Sequence, residues 1–145
     1  MEKIALRLEY DHTWIDHPMQ IITKIDDRVI NVDVSGSRST IIKKTVKLAN
    51  DDHTLFLEIS GKNDANTIVD DNGNVIESSL IFIKSFSLNE IELLPLLYHG
   101  DKFQTFYINN NPNQYINKLT EIGFNGTWKF NFKTPLYEWL LESLF

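Results

Sequence analysis

The chain contains no cysteine among its 145 residues, which excludes a disulfide framework, a thiolate zinc site and a thiol nucleophile. It has no apolar run approaching the roughly 20 residues that a membrane-spanning helix requires. The opening MEKIALRLEYDHTW interrupts any signal-like apolar region with Arg7 and Glu9, so synthesis in the cytoplasm without export is expected. Basic residues are also scarce, with 14 Lys and Arg against 20 Asp and Glu and a net charge of −6. That balance argues against nucleic-acid binding, which relies on clustered cations to replace counterions. The most basic stretch, RSTIIKKTVK, holds Arg38, Lys43, Lys44 and Lys47. Asp51 and Asp52 follow it closely, and it reads as the solvated face of a strand.

What is present is a soluble composition, 42% apolar and 23% charged, in a length that suits one domain, 1–145. Such a chain buries roughly 70% of its unfolded surface and needs no staple. The dominant hydrophobic period is two, the signature of half-buried strands. Ile4, Leu6, Leu8 and Tyr10 alternate with Arg7 and Glu9, and Leu55, Leu57 and Ile59 repeat the pattern. In RVINVDVS the expected inward set is Ile30, Val32 and Val34, opposite Asn31 and Asp33. SLIFIKSFSL aligns Leu80, Phe82, Phe86 and Leu88 against Ile81 and Ile83, as if covered on both faces. The clearest run is TWKFNFK, where Trp128, Phe130 and Phe132 alternate with polar residues. Turn-forming residues separate these runs. The expected fold is all-β, a jelly-roll-like antiparallel β-sandwich with a short C-terminal helix. In that helix Thr134 is placed to cap and Pro135 to occupy the first position. NPNQYINKLTEIG offers a second, weaker helical spacing through Ile116, Leu119 and Ile122.

The stretch most suggestive of chemistry is TIVDDNGNVIE, residues 67–77. Counted as a calcium loop from Asp70, it puts Val75 where glycine is needed and Ile81 where glutamate is needed. Asn72-Gly73 instead favours a two-residue hairpin turn of type I′. The expectation is therefore no cofactor, with calcium held by Asp64 or Asp70 and backbone carbonyls as the alternative. His12, His17, His53 and His99 form no metal-binding spacing and read as ordinary surface histidines. VSGSRST is neither a nucleophile elbow nor a phosphate loop. No two of the 20 carboxylates are singled out as an acid–base pair, so enzymatic activity is not expected.

Two features point to binding. Trp14, Tyr98 and Tyr107 stand near loops among hydrogen-bonding side chains, a mixture that suits sugars, whose apolar faces stack on rings. Rim aromatics of a core are the competing reading. The ending is apolar almost all round, and Leu136, Trp139, Leu140, Leu144 and Phe145 are the candidates for docking a partner or a second copy. The alternative is a helix that closes its own sandwich.

HTLFLEISGKNDANTIVDDNGNVIESSLIFIKSFSLNEIEL together with GFNGTWKFNFKTPLYEWLLESLF resembles small accessory virion proteins of large contractile-tailed phages, whose layout is similar to jelly-roll carbohydrate-binding modules. The resemblance implies a virion location and carries over no functional residue. Only three alanines beside abundant Ile, Asn and Lys fit an AT-rich source of that kind. The leading expectation is a non-enzymatic structural or decorating module assembled into a phage virion. A carbohydrate-binding module, with or without calcium, is the alternative, and a glycoside-active enzyme is the third reading. Expected partners are proteins or further copies at the C-terminal segment and, on the second reading, a glycan; neither nucleic acid nor membrane is expected.

Overall fold

In the first strand, β1 (Glu2–His12), Ile4, Leu6, Leu8 and Tyr10 are buried and the residues between them reach the surface. The computed structural model describes residues 1–13, 19–34, 38–62, 67–78, 80–98, 103–116 and 121–144, with backbone alone at 67–69, 75–78, 98 and 144. After β1 come β2 (Gln20–Ile25), β3 (Arg28–Asp33), β4 (Ser39–Leu48), β5 (Asp52–Ser60), β6 (Thr67–Val69) and β7 (Val75–Ser78). They are followed by β8 (Ile81–Leu88), β9 (Ile91–Glu92), a 3-10 turn (Leu94–Tyr98), β10 (Gln104–Ile108), β11 (Tyr115–Ile116), β12 (Glu121–Ile122), β13 (Gly126–Lys133) and α1 (Leu136–Leu144). A five-stranded sheet runs β12-β8-β1-β4 with β9 on β8, a six-stranded sheet runs β11-β10-β13-β5-β2-β3, and β6 pairs β7. The described pairings are antiparallel. The fold is the expected all-β antiparallel sandwich with a short C-terminal helix.

Aromatic rings join the two sheets. Phe86 of β8 meets Phe130 of β13 edge-on at 4.8 Å between centroids and Trp128 at 6.1 Å. The buried indole of Trp128 donates to the Gln104 carbonyl oxygen at 2.7 Å, and the Gln104 amide donates to the Leu97 carbonyl. Each buried polar group in this relay has a partner, as a core of low polarity demands.

Two strands depart from simple alternation. β8 has a register shift opposite Glu9 and Tyr10. Ile81 and Ile83 therefore face the core before it, Phe86 and Leu88 after it, and Phe82 is left half-buried. One inward face with a phase change replaces the expected two covered faces. In β3 the expected inward set holds at Ile30, which packs against the core, and reverses at Val32 and Val34. Pairing with β2 places Asp33 opposite buried Ile21. Asp33 is 6% exposed, whereas Val32 is 52% exposed and Val34 also stands outside. The buried carboxylate accepts from the Tyr10 hydroxyl at 2.7 Å and from Thr40 at 3.0 Å, tying the six-stranded sheet to the five-stranded one. Burial first, then Asp33, pushes the Tyr10 hydroxyl above the ordinary tyrosine range, so it remains a donor.

Local corrections follow the same logic. The 67–78 segment is a hairpin, but Asp71, Asn72 and Gly73 form a three-residue loop in place of the two-residue turn. The Gly73 amide donates to the Asp70 carbonyl, Asp70 donates to the Asn74 carbonyl, and Gly73 takes the left-handed φ of 83°. The Asp70 carboxylate selects this loop by accepting the amides of Asn72 and Asn74, each at 2.9 Å. The helix expected around Ile116 to Ile122 is replaced by β11 and β12, each held by a partner strand; Leu119 lies outside the described residues. At α1, Thr134 does not cap: its hydroxyl donates to the Ala49 carbonyl at 2.7 Å. The Glu2 carboxylate accepts the Leu136 amide at 2.9 Å instead, an anion at the positive end of the helix.

His53 anchors the same end of the sandwich. Its Nδ1 is 2.7 Å from an Asp26 carboxylate oxygen and its Nε2 is 2.7 Å from the Ala49 carbonyl. Both partners are acceptors, so full satisfaction requires the doubly protonated ring. Burial alone would lower its pKa, but the Ala49 carbonyl and the Asp26 and Asp51 carboxylates raise it above the usual histidine value. A raised folded-state pKa means that the contribution is complete below about pH 6.5 and is lost as pH rises through the shifted value. Thermal unfolding should therefore show the melting temperature falling as pH rises above the ordinary histidine value of about 6.5. His53→Gln should flatten that slope, and an unaltered slope in the variant would exclude His53 as its source.

A second expectation concerns β2. Thr23 is fully buried and its hydroxyl has no hydrogen-bond partner. Burying a hydroxyl without a partner costs about 1–3 kcal/mol. Thr23→Val keeps the shape and should stabilise the domain by about 1 kcal/mol, read from the urea midpoint at constant m-value.

Candidate functional site on the outer face of the six-stranded sheet

The alternation that sends Phe106, Trp128 and Phe130 inward sends Tyr107, Thr127 and Lys129 outward. Register then assembles them. Tyr107 lies opposite Thr127 on one side and Tyr115 on the other, while Lys129 lies opposite Phe56 of β5. The Tyr107 and Tyr115 rings are 6.2 Å apart, and Tyr115 is 56% exposed. The Lys129 ammonium sits 5.1 Å from the centroid of Tyr107 and 5.5 Å from that of Phe56, a cation over two ring faces. Lys24 and Glu58 on the same face form an ion pair at 2.8 Å.

The loop beside these rings owes its shape to asparagine. Asn109 and Asn110 both take positive φ, 52° and 58°, which their short polar side chains tolerate. The turn brings the Asn110 carbonyl oxygen to accept from the Thr127 hydroxyl at 2.6 Å. Gly126 makes the close approach possible, since a Cβ there would lie 2.1 Å from the Tyr107 carbonyl oxygen. The result is an open depression of about 320 Å³ lined by Tyr107, Asn110, Pro112, Thr127 and Lys129. Rings and neutral hydrogen-bonding groups share one shallow surface.

Of the three residues proposed for sugar contact, Tyr107 stands on this face. Trp14 lies outside the described residues, and Tyr98 ends the 3-10 turn with its side chain likewise outside them. Tyr115 and Phe56 were not singled out. Phe56 was legible, because it alternates with Leu55 and Leu57 and must point away from the core. Tyr115 was hidden by the helical reading of its neighbourhood.

The docking candidates are placed differently from expectation. Leu136, Trp139 and Leu140 are buried against the domain's own core, where Trp139 packs edge-on to Phe103 at 5.8 Å and to Phe130 at 6.2 Å. They are occupied by their own sandwich. Leu144 closes the helix with its side chain outside the described residues, as is all of Phe145. The helix instead exposes Tyr137 (59%) and Leu141 (62%).

A second cleft, of about 370 Å³, lies between α1 and the sheet, lined in part by Asp52, His53, Phe103, Trp139 and Ser143. His53 cannot act there as a general base, because both ring nitrogens are engaged by acceptors. Among the described residues no three His, Asp or Glu side chains converge on a possible metal. Asp70 is held below the usual carboxylate range, first by the Asn74 amide and then by the Asn72 amide, both donating to its Oδ1 within the turn, while the Asn74 side-chain amide donates to Oδ2 at 3.3 Å. Asp64 lies outside the described residues. No family model matches the chain, and no curated protein sequence or solved structure is similar enough to count as a match.

Proposed function

We propose that the protein is a non-enzymatic carbohydrate-binding module that uses the outer face of its six-stranded sheet. The observation that carries this reading is the pair Tyr107 and Tyr115, opposite in register and 6.2 Å apart, beside Asn110 and Thr127. A sugar offers an apolar face to the open Tyr115 ring and hydroxyls to the amide and hydroxyl groups. Lys129 covers part of the Tyr107 ring, so Tyr115 is the primary stacking residue and Tyr107 its support. An open surface suits a polymer that lies across it better than a small molecule that must be enclosed. The resemblance to accessory virion proteins supports the further proposal that the module is carried on a phage particle, made in the host cytoplasm.

A panel of neutral polysaccharides in affinity electrophoresis, with and without chelator, tests the reading. The wild-type chain should be retarded by at least one polymer, and Tyr115→Ala should weaken that affinity about tenfold, equivalent to about 1.4 kcal/mol. Silence across the whole panel in both conditions would remove the glycan reading.

The C-terminal helix favours a second reading, decoration of a particle through protein contacts. Tyr137 and Leu141 lie one helical turn apart and are both exposed, so they form one outward apolar strip. If this strip docks a second copy, multi-angle light scattering should show concentration-dependent association that Tyr137→Ser with Leu141→Ser abolishes without changing the circular dichroism. A strictly monomeric wild-type chain would retire self-association.

A further inference from the structure

The five-stranded sheet carries a different surface. Its outward residues on β1 and β4 are set by an unbroken register in which Lys3 lies opposite Lys47, Ala5 opposite Thr45 and Arg7 opposite Lys43. Two like-charged pairs thus flank one pair of small residues. Side chains directly opposite in an antiparallel pair stand about 5 Å apart at Cβ, and like charges there are destabilising. The small pair borders a hollow of about 260 Å³ lined in part by Ala5, Arg7, Lys43, Lys44 and Thr45 and by one carboxylate, Glu90, with Lys3 and Lys47 outside its lining. Arg7 is partly neutralised by Glu9 at 3.3 Å and donates to Ser85 at 3.1 Å. Among the described residues, Lys3, Lys43, Lys44 and Lys47 have no carboxylate within ion-pairing distance. This concentration of cations occurs in a chain of net charge −6.

Protection of a free sheet edge explains part of it. β4 ends its sheet, and lysines on an edge strand discourage pairing with another chain. That explanation covers Lys43, Lys44 and Lys47. It does not cover Arg7, because at that position β1 has β4 on one side and β8 on the other, Arg7 lying opposite Lys43 and Ser87. An anion seated between the pairs would turn both repulsions into attractions.

We infer that this face binds an anionic polysaccharide, its sulfate or carboxylate groups received between Lys3, Arg7, Lys43 and Lys47. The spacing favours sparse charge. The two cation pairs are four residues apart along the strand, about 13 Å at 3.3–3.4 Å per residue. Duplex DNA presents a phosphate charge about every 1.7 Å, and its density would run onto Glu9, Asp11 and Glu90 at the borders of the patch. None of the residues lining the hollow is aromatic, so single-stranded bases find no stacking partner there. The site is separate from the tyrosine face and does not depend on it.

Retention on immobilised dextran sulfate and on polygalacturonate, at low and moderate salt, tests the inference, with neutral dextran and duplex DNA alongside. Wild-type protein should be held by at least one acidic polymer and not by neutral dextran; which polymer holds it distinguishes sulfate from carboxylate. Arg7→Gln with Lys43→Gln should lose about tenfold in affinity. Lys24→Gln with Lys133→Gln, which removes the same charge from the six-stranded sheet, should lose less than twofold. Tyr115→Ala should leave this retention intact even if neutral glycans are no longer bound. Equal losses in the two double variants, tighter binding to DNA, or no retention on either acidic polymer would each overturn the inference. Lys3→Gln with Lys47→Gln serves as an independent variant if the first pair misfolds, and circular dichroism reports that directly.

Discussion

The meeting of Phe86 with Phe130 and Trp128 fixes how the two sheets face each other, and most other features answer to it. Rings from opposing layers, edge against face, require the strands that carry them to keep a constant phase across a sandwich core about 10 Å thick. Once β1, β8, β5 and β13 are in phase, each remaining residue on them is committed to one outer surface or the other. The indole of Trp128 adds a polar demand inside this packing. Gln104 meets it and passes the demand to the Leu97 carbonyl, so the 3-10 turn is held by the same core that β10 helps to build.

Where a strand must change phase, the structure introduces an irregularity and supplies the polar groups it strands. The shift in β8 moves the inward set from odd to even residues within one strand, and Lys84, displaced outward beside it, pairs with Asp11 at 3.3 Å. The reversal in β3 is costlier, because it buries Asp33. Two hydroxyls from the opposite sheet accompany the carboxylate, and the tyrosine among them is held in its donor form by burial. The side of the sandwich where β3 and β4 both end their sheets is therefore latched by charge-assisted hydrogen bonds at a point with little apolar contact to offer.

Much of this was legible in the residues alone. The alternation in β1, β5 and β13 announced both the fold class and the inward set, because half-buried strands leave a period of two in the sequence. Asp33 could not be read as inward, since its partners Tyr10 and Thr40 lie on other strands and only tertiary pairing brings them to it. β11 and β12 were missed for a related reason: two-residue strands carry no period, and their identity comes from β10 and β8. The apolar ending was correctly read as needing cover. Its cover turned out to be Phe103 and Phe130 of the same chain, which no local pattern could announce. Of the candidate sugar-binding face, Tyr107 was visible as an aromatic near a polar loop. Tyr115 and Lys129 join it through strand register alone.

A sandwich has two outward faces whose side chains are chosen independently, because a core about 10 Å thick keeps the outward groups of one sheet out of contact with those of the other. Here one face holds rings, amides and the Lys24–Glu58 pair, and the other holds cations opposite cations. Shallow surfaces of this kind enclose little of a ligand, so each single contact with a polymer is weak. On the proposed reading that weakness is no handicap. A particle displaying many copies binds a polymer at many points at once, and linked weak sites gain orders of magnitude in avidity without any new contact. Two faces on one module add to that count while allowing neutral and acidic stretches of a heterogeneous polysaccharide to be held by different sheets. The open form of the depressions described on both faces suits adhesion, since a site that must grip and release along a chain is served by breadth rather than enclosure.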